Sequence, residues 1–221
     1  MNKRPALRWL ERSLWVASLV LLGWVGFSLA DGWLFQSRAE ASLERALARV
    51  GVDLPELPGD QGSTADGPPS FGPVDLGDPL GRLEIPRLGL EVMVAEGTRG
   101  WVLRRGAGHL PGTPLPGDSG NVALAGHRDR HFRPLKDVAP GDEILLTTPH
   151  GTFRYRVEWT RIVEPKDVEV LDPTDQPTLT LVTCYPFYFV GNAPDRFIVR
   201  ANQVGWRPPS AGELDAVAAG R

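Results

Sequence analysis

The sequence predicts an all-β exported domain carried behind one N-terminal transmembrane helix. Three features lead there: an uncharged run from Ser13 to Ala30, a Gly/Pro-crowded stretch from Gly51 to Gly81, and a series of short alternating or β-branched apolar runs from Leu80 onward. Short apolar runs bounded by Gly and Pro are strand signals, whereas a helix needs a sustained 3.6-residue period. A length of 221 residues fits one ordinary domain with accessories. The composition, 42% hydrophobic and 23% charged, is that of a globular protein, and 21 Pro with 25 Gly favour turns and short strands over long helices. A formal net charge of -3 supplies no basic domain for nucleic acid, so none is expected as a partner.

The charge is unevenly placed. Lys3, Arg4, Arg8 and Arg12 against Glu11 give residues 1–12 a net +3, four positive less one negative, which leaves -6 for the remainder. The run "SLWVASLVLLGWVGFSLA" that follows has no charge; as a helix its eighteen residues span roughly 27 Å, close to a bilayer's hydrocarbon core. The basic flank predicts a cytoplasmic N-terminus, with everything from Asp31 onward outside. Trp15, Trp24 and Trp33 lie within or beside the run, and Trp33 suits an interfacial anchor. The rival reading is a cleaved signal peptide, because "SLA" at 28–30 has the small-x-small pattern before Asp31. Either reading exports the main body.

The expected organisation is a cytoplasmic basic segment at 1–12, a transmembrane signal anchor at 13–33, a stalk helix and linker at 34–79, a folded domain at 80–205 and a tail at 206–221. "SRAEASLERALARV" at 37–50 has helix-compatible apolar spacing, and 51–81 has no period and the composition of a linker. Within the domain, strands are expected near 82–86, 90–95, 121–126, 142–148, 152–163, 178–184 and 196–203. A turn at "PHG", 149–151, joins two of them, and a short helix is expected within 98–106. This pattern suits a closed barrel or a sandwich, and periodicity does not separate the two.

Cys184, at the end of "TLTLVTC", is the only cysteine. Exported proteins use cysteines in pairs, so this one is a buried small hydrophobe, an intermolecular link, a metal ligand or a nucleophile. A metal site has little support, with four histidines, one thiol and no close His/Cys spacing. A nucleophile needs a base or a cation nearby, since an unperturbed thiol with a pKa of about 8.5 is only a few per cent ionised at neutral pH. His127 follows the strand-like run "NVALAG", and Arg196 opens "RFIVRA". Three polar groups at three strand ends can meet at one rim of a barrel, supplying nucleophile, acid/base and fixed cation.

"TLTLVTC" followed twelve positions later by Arg196 resembles the TLxTC…R signature of sortases, the membrane-anchored cysteine transpeptidases of bacterial surfaces. "LAGHRD" at 124–129 is similar to their histidine segment, "GRLEIPRLGL" at 81–90 to their first strand, and "GHLPGTPLPGDSGN" at 108–121 to the loop before that histidine. The resemblance covers about residues 80–203, and "TCYPFYFVGNAPDRFIVRA" looks most like class D members. It implies a closed eight-stranded β-barrel with short helices, one strand more than the pattern reveals, and a single-pass protein of the bacterial cell membrane with its catalytic domain outside.

The resemblance also implies roles. Cys184 attacks the threonine carbonyl of an LPxTG-like sorting signal, His127 is general acid and base, and Arg196 binds substrate carbonyls and the developing oxyanion. An amine acceptor on the cell wall or another protein then resolves the thioacyl enzyme. Thr183 bonds substrate, holds the loop or is a plain strand threonine, His109 is a further candidate for substrate contact, and Tyr185, with Pro186 and Phe187, either shapes the groove wall or packs locally. No cofactor is implied. The alternatives are a peptidase of the same fold that hydrolyses the acyl enzyme, and a non-enzymatic β-domain that binds surface proteins.

Overall fold

The computed structural model describes Trp9 and residues 12–23, 71–189 and 191–209. The expected stalk helix, the signal-peptide pattern at 28–30, Trp24, Trp33, the linker up to residue 70 and the tail from 210 lie outside the described residues. Residues 12–23 are helical, and their apolar side chains, Leu19 and Leu22 among them, stand exposed. Among the described residues no helix is long and apolar enough to cross a membrane.

Eight strands close into a barrel. They are β1 (Pro79–Ile85), β2 (Leu90–Glu96), β3 (Ala107–His109), β4 (Asn121–Gly126), β5 (Glu143–Thr148), β6 (Gly151–Val163), β7 (Thr178–Tyr185) and β8 (Asp195–Arg207). Their order around the barrel is β1-β2-β3-β4-β7-β8-β6-β5. Closure leaves no edge strand, and it decides between the barrel and the sandwich that periodicity left open. Two pairs, β2–β3 and β4–β7, are parallel and the rest antiparallel. A parallel pair needs a crossover; β2 reaches β3 through the six-residue helix Gly100–Arg105, inside the expected 98–106.

The seven strands expected from the sequence are present with small shifts at their ends. The eighth, β3, has three residues, too few to show an alternating pattern. β8 runs on to Arg207, so residues 206 and 207 belong to the barrel and not to the tail. The linker also ends sooner than expected. Phe71 meets the His150 ring edge-on at 4.6 Å, and both Phe71 and Val74 pack on the core. Gly77 N–H donates to the Glu96 carbonyl, and Glu96 N–H to that of Asp78, both at 2.9 Å.

The turn between β5 and β6 follows its sequence signal. Thr148 pairs with Gly151, and the Thr148 hydroxyl accepts from His150 N–H at 3.1 Å. Gly151 sits at φ +121°, a conformation that an L side chain rarely adopts.

Alternation sorts β4, β7 and β8 into two faces. Leu124, Leu179, Leu181, Val199 and Ala201 point into the core and are fully buried, each leucine contributing roughly 1.5–3 kcal/mol. The other set faces outward. From one end to the other it reads Asn121 and Thr178; Ala123, Thr180 and Arg200; Ala125, Val182 and Ile198; then Cys184 and Arg196. This outward face carries the candidate site.

Candidate active site

β7 and β8 pair Cys184 directly with Arg196. β4 lies parallel on the other side of β7, with Gly126 paired to Thr183, so the next residue of the chain, His127, comes level with Cys184. Neighbouring strands lie about 4.8 Å apart, which brings the three side chains within reach of one another at one rim. Each is half-buried, accessible yet partly screened from water. The three expected site residues are therefore neighbours in space although 57 and 12 positions separate them in sequence.

The backbone that carries His127 is fixed from two sides. The Thr183 hydroxyl, almost fully buried, donates to the Gly126 carbonyl at 2.7 Å. The Phe132 ring packs on Gly126 so closely that a Cβ there would lie 2.6 Å from it. The turn then closes with Arg130 N–H and Phe132 N–H donating to the His127 carbonyl, and Arg130 Nη1 reaches the Arg104 carbonyl at 3.2 Å. Of the roles open to Thr183 in the sequence, the geometry favours holding the structure, because its hydroxyl hydrogen is already committed.

Burial lowers the His127 pKa from its ordinary value, Asp129 opposes this, and the cations Arg130 and Arg104 reinforce it. The imidazole is thus neutral over more of the physiological range than a solvated histidine. His131, which the sequence reading passed over, lies close enough to act on the same titration. Burial lowers its pKa too, and charge on either imidazole disfavours charge on the other. Its spacing in "GHRDRH", four residues after His127, is the signal that was available.

Arg196 lies between carbonyls. Its Nη1 donates to Asp195 O at 2.9 Å and, more weakly, to Ala193 O at 3.4 Å. A guanidinium that can satisfy itself with backbone carbonyls can do the same with a substrate's. Arg128, beside His127, donates from Nη2 to Phe189 O at 3.0 Å and Gly191 O at 3.1 Å, tying the histidine turn to the loop between Cys184 and Arg196.

Tyr185 packs in an aromatic wall beside the groove it was expected to shape. Its ring stacks on Phe197 at 6.3 Å and meets Phe187 edge-on at 6.0 Å. With Pro186, Ile162 and Lys136 these aromatics line an open hollow of about 450 Å³ beside the rim. By alternation Tyr185 faces away from Cys184, so it shapes the neighbouring hollow and not the stripe that carries the thiol.

His109 is elsewhere. It is 2% exposed, its Nδ1 meets Glu96 Oε2 at 2.6 Å, and its Nε2 meets Pro114 O and Thr113 Oγ1 at 3.0 Å. Both ring nitrogens are occupied, and β3 runs antiparallel to β4, carrying His109 away from the rim. The geometry gives it a part in holding the wall in place of the substrate contact expected from sequence. Residues that sequence reasoning missed are Ala125, Val182 and Ile198, an apolar floor leading away from Cys184. Among the described residues no group of three or more His, Cys, Asp or Glu is arranged to hold a metal ion.

The Sortase domain family profile matches residues 83–204, from β1 into β8. Sortase D of Bacillus subtilis is 35% identical over 192 residues, covering 85% of this chain and 94% of the relative. Sortase SrtE1 of Streptomyces coelicolor is 32% identical over 204 residues, 84% of this chain and 54% of that longer protein. Among solved structures, the SrtA sortase from Actinomyces oris superposes with a TM-score of 0.60 at 32% identity, covering 67% of this chain and 92% of the other. A Clostridium perfringens Sortase D5 transpeptidase does so with a TM-score of 0.55 at 33% identity, covering 60% and 83%. The chain belongs to the sortase family of cysteine transpeptidases.

Proposed function

We propose that this sortase is a membrane-anchored transpeptidase that cleaves an LPxTG-like sorting signal after its threonine and joins the surface protein to an amine acceptor. The observation that carries the reading is the adjacency of Cys184, Arg196 and His127 on β7, β8 and the end of β4. The Cys184 thiol gives its proton to the neutral His127 imidazole as Sγ attacks the threonine carbonyl. Arg196 exchanges its loop carbonyls for the substrate oxygen and stabilises the negative charge that develops there. Collapse breaks the Thr–Gly amide, and the departing amine takes the proton from His127. The thioester then meets an incoming amine, His127 receives that amine's proton, and collapse of the second tetrahedral adduct releases Cys184, reprotonated from His127.

The apolar floor of Ala125, Val182 and Ile198 suits the leucine and proline that precede the threonine. The exposed apolar helix at 12–23 behind basic residues supports the anchor, with its N-terminus in the cytoplasm of a bacterial cell and the barrel outside.

The test is product analysis of an LPxTG peptide with residues 71–221, with and without an added amine such as triglycine. The reading expects an amide adduct that grows with amine concentration. Cleavage that yields only the free acid at every amine concentration would replace transpeptidation with peptidase activity. No cleavage, together with a Cys184 inert to alkylation, would favour a binding domain.

A further inference from the structure

The outward face of β4, β7 and β8 ends, opposite the catalytic rim, in a buried polar network. Asn121 is 0% exposed and makes four hydrogen bonds. Its Nδ2 donates to Val170 O and Asp172 O, both at 3.1 Å, and its Oδ1 accepts from Thr180 Oγ1 at 2.6 Å and Thr178 Oγ1 at 3.4 Å. Arg200, 7% exposed, donates from Nη2 to the same Val170 O at 2.7 Å and from Nη1 to Thr178 Oγ1 at 3.4 Å, with its guanidinium 5.4 Å from the Trp159 ring. Val170 and Asp172 belong to the connection between β6 and β7, which holds the short 3-10 helix Val168–Leu171.

None of that helix's residues is buried, and no side chain caps it. Val170 and Leu171 are only half-buried, so apolar burial holds the helix weakly and the two donors on the Val170 carbonyl do much of that work. The connection in turn closes the far end of the stripe that starts at Cys184. From Cys184 to Thr180 is four residues, roughly 13 Å at about 3.3 Å per residue. Four residues of an extended substrate, such as the Leu-Pro-x-Thr of a sorting signal, span about the same length.

We propose that Asn121 and Arg200 are positioning residues for substrate: they pin the β6–β7 connection as the end wall of the groove and so set how many residues before the scissile bond the site accepts. This deepens the substrate reading above and rests on it. Neither residue touches the reacting atoms, so their loss acts on peptide capture while leaving the chemistry of Cys184 in place.

The test uses Arg200→Met, which keeps length and bulk but donates nothing, and Arg200→Lys, which keeps the charge and one donor head. Hydrogen exchange is measured by mass spectrometry over residues 164–172 and over β7, with steady-state cleavage of an LPxTG peptide and the Cys184 alkylation rate alongside. In Arg200→Met, exchange over 164–172 rises about tenfold or more, as loss of a charge-assisted bond implies, while β7 stays protected. KM rises about tenfold, kcat stays within about twofold, and alkylation is unchanged; Arg200→Lys recovers part of the KM. Unchanged exchange over 164–172, or a fall in kcat at constant KM, would overturn the proposal, as would loss of protection in β7 together with 164–172. If the wild type turns over no sorting peptide, the substrate reading fails on its own, and exchange over 164–172 still decides whether Arg200 pins the connection.

Discussion

One face of the β4–β7–β8 sheet has two ends built on opposite plans. At the rim, His127, Cys184 and Arg196 are half-buried, and Arg196 bonds only weakly or locally, to carbonyls of its own loop. At the far end, Asn121 and Arg200 are buried and committed to the β6–β7 connection. In the proposed cycle these three groups must exchange partners, so their placement falls to neighbours that do not react. Thr183, Gly126 and Phe132 do this for His127. The far end has no such need and can spend its bonding capacity on rigidity.

The largest expected effect lies at the rim. Arg196→Ala lowers kcat/KM for an LPxTG peptide by about 10²–10³-fold, the cost of one oxyanion donor elsewhere, and Arg196→Lys recovers little because a single ammonium cannot reproduce the guanidinium fork. Equal activity in Arg196→Ala would remove Arg196 from the mechanism and erase the contrast between the two ends.

Thr183→Val comes next. It leaves the buried Gly126 carbonyl without its donor, a cost of about 1–3 kcal/mol in a denaturation curve, and lets His127 drift from Cys184. Thr183→Ser keeps the hydroxyl and most of the activity. If the valine variant were as active as wild type, the rim would not depend on its supporting neighbours.

The histidine titrations give a smaller signal. In NMR of the folded domain His127 is expected to titrate below the ordinary 6.5, and Asp129→Asn to move it further down by removing the opposing carboxylate. The sign for stability follows: the unfolded chain takes up the proton more readily than the fold, so stability present above about pH 6.5 declines as the pH falls below it. A titration at or above 6.5 would contradict the burial argument.

The least effect belongs to a pair that bonds none of the three rim residues. Arg87 reaches both oxygens of Asp142, holding that carboxyl below its ordinary pKa, and donates to Asp137 O at 2.6 Å. Asp142→Asn lowers the melting temperature at neutral pH with catalysis intact. The difference from wild type shrinks as the pH falls through the lowered carboxyl pKa, where wild type loses the interaction too.

How much of this could be read beforehand follows from the range of each interaction. Cys184, His127 and Arg196 each stand at the edge of an apolar run, and an edge is a local property, so the sequence displays it. β3 is too short to carry a period, and its central Gly108 offers no side chain to pattern. The Glu96–His109 contact joins strands through a parallel pairing that no local spacing encodes. Arg200 lies mid-strand, where a local pattern gives no reason to single it out. Only closure of the barrel, with the β6–β7 connection folded over it, turns that charge inward onto Val170. Residues 71–78 read as linker because Gly and Pro interrupt any period in them, while their docking rests on Phe71 and Val74 and on the backbone hydrogen bonds that join Gly77 and Asp78 to Glu96.

The central claim, that Cys184 forms a covalent acyl enzyme, is tested most directly by the intact mass of residues 71–221 after mixing with an LPxTG peptide. The account predicts a gain equal to the peptide's acyl portion through threonine, absent in Cys184→Ala and discharged by added amine. An unchanged mass, while Cys184 still alkylates readily and a panel of LPxTG and LPxTA peptides is exhausted, would contradict it.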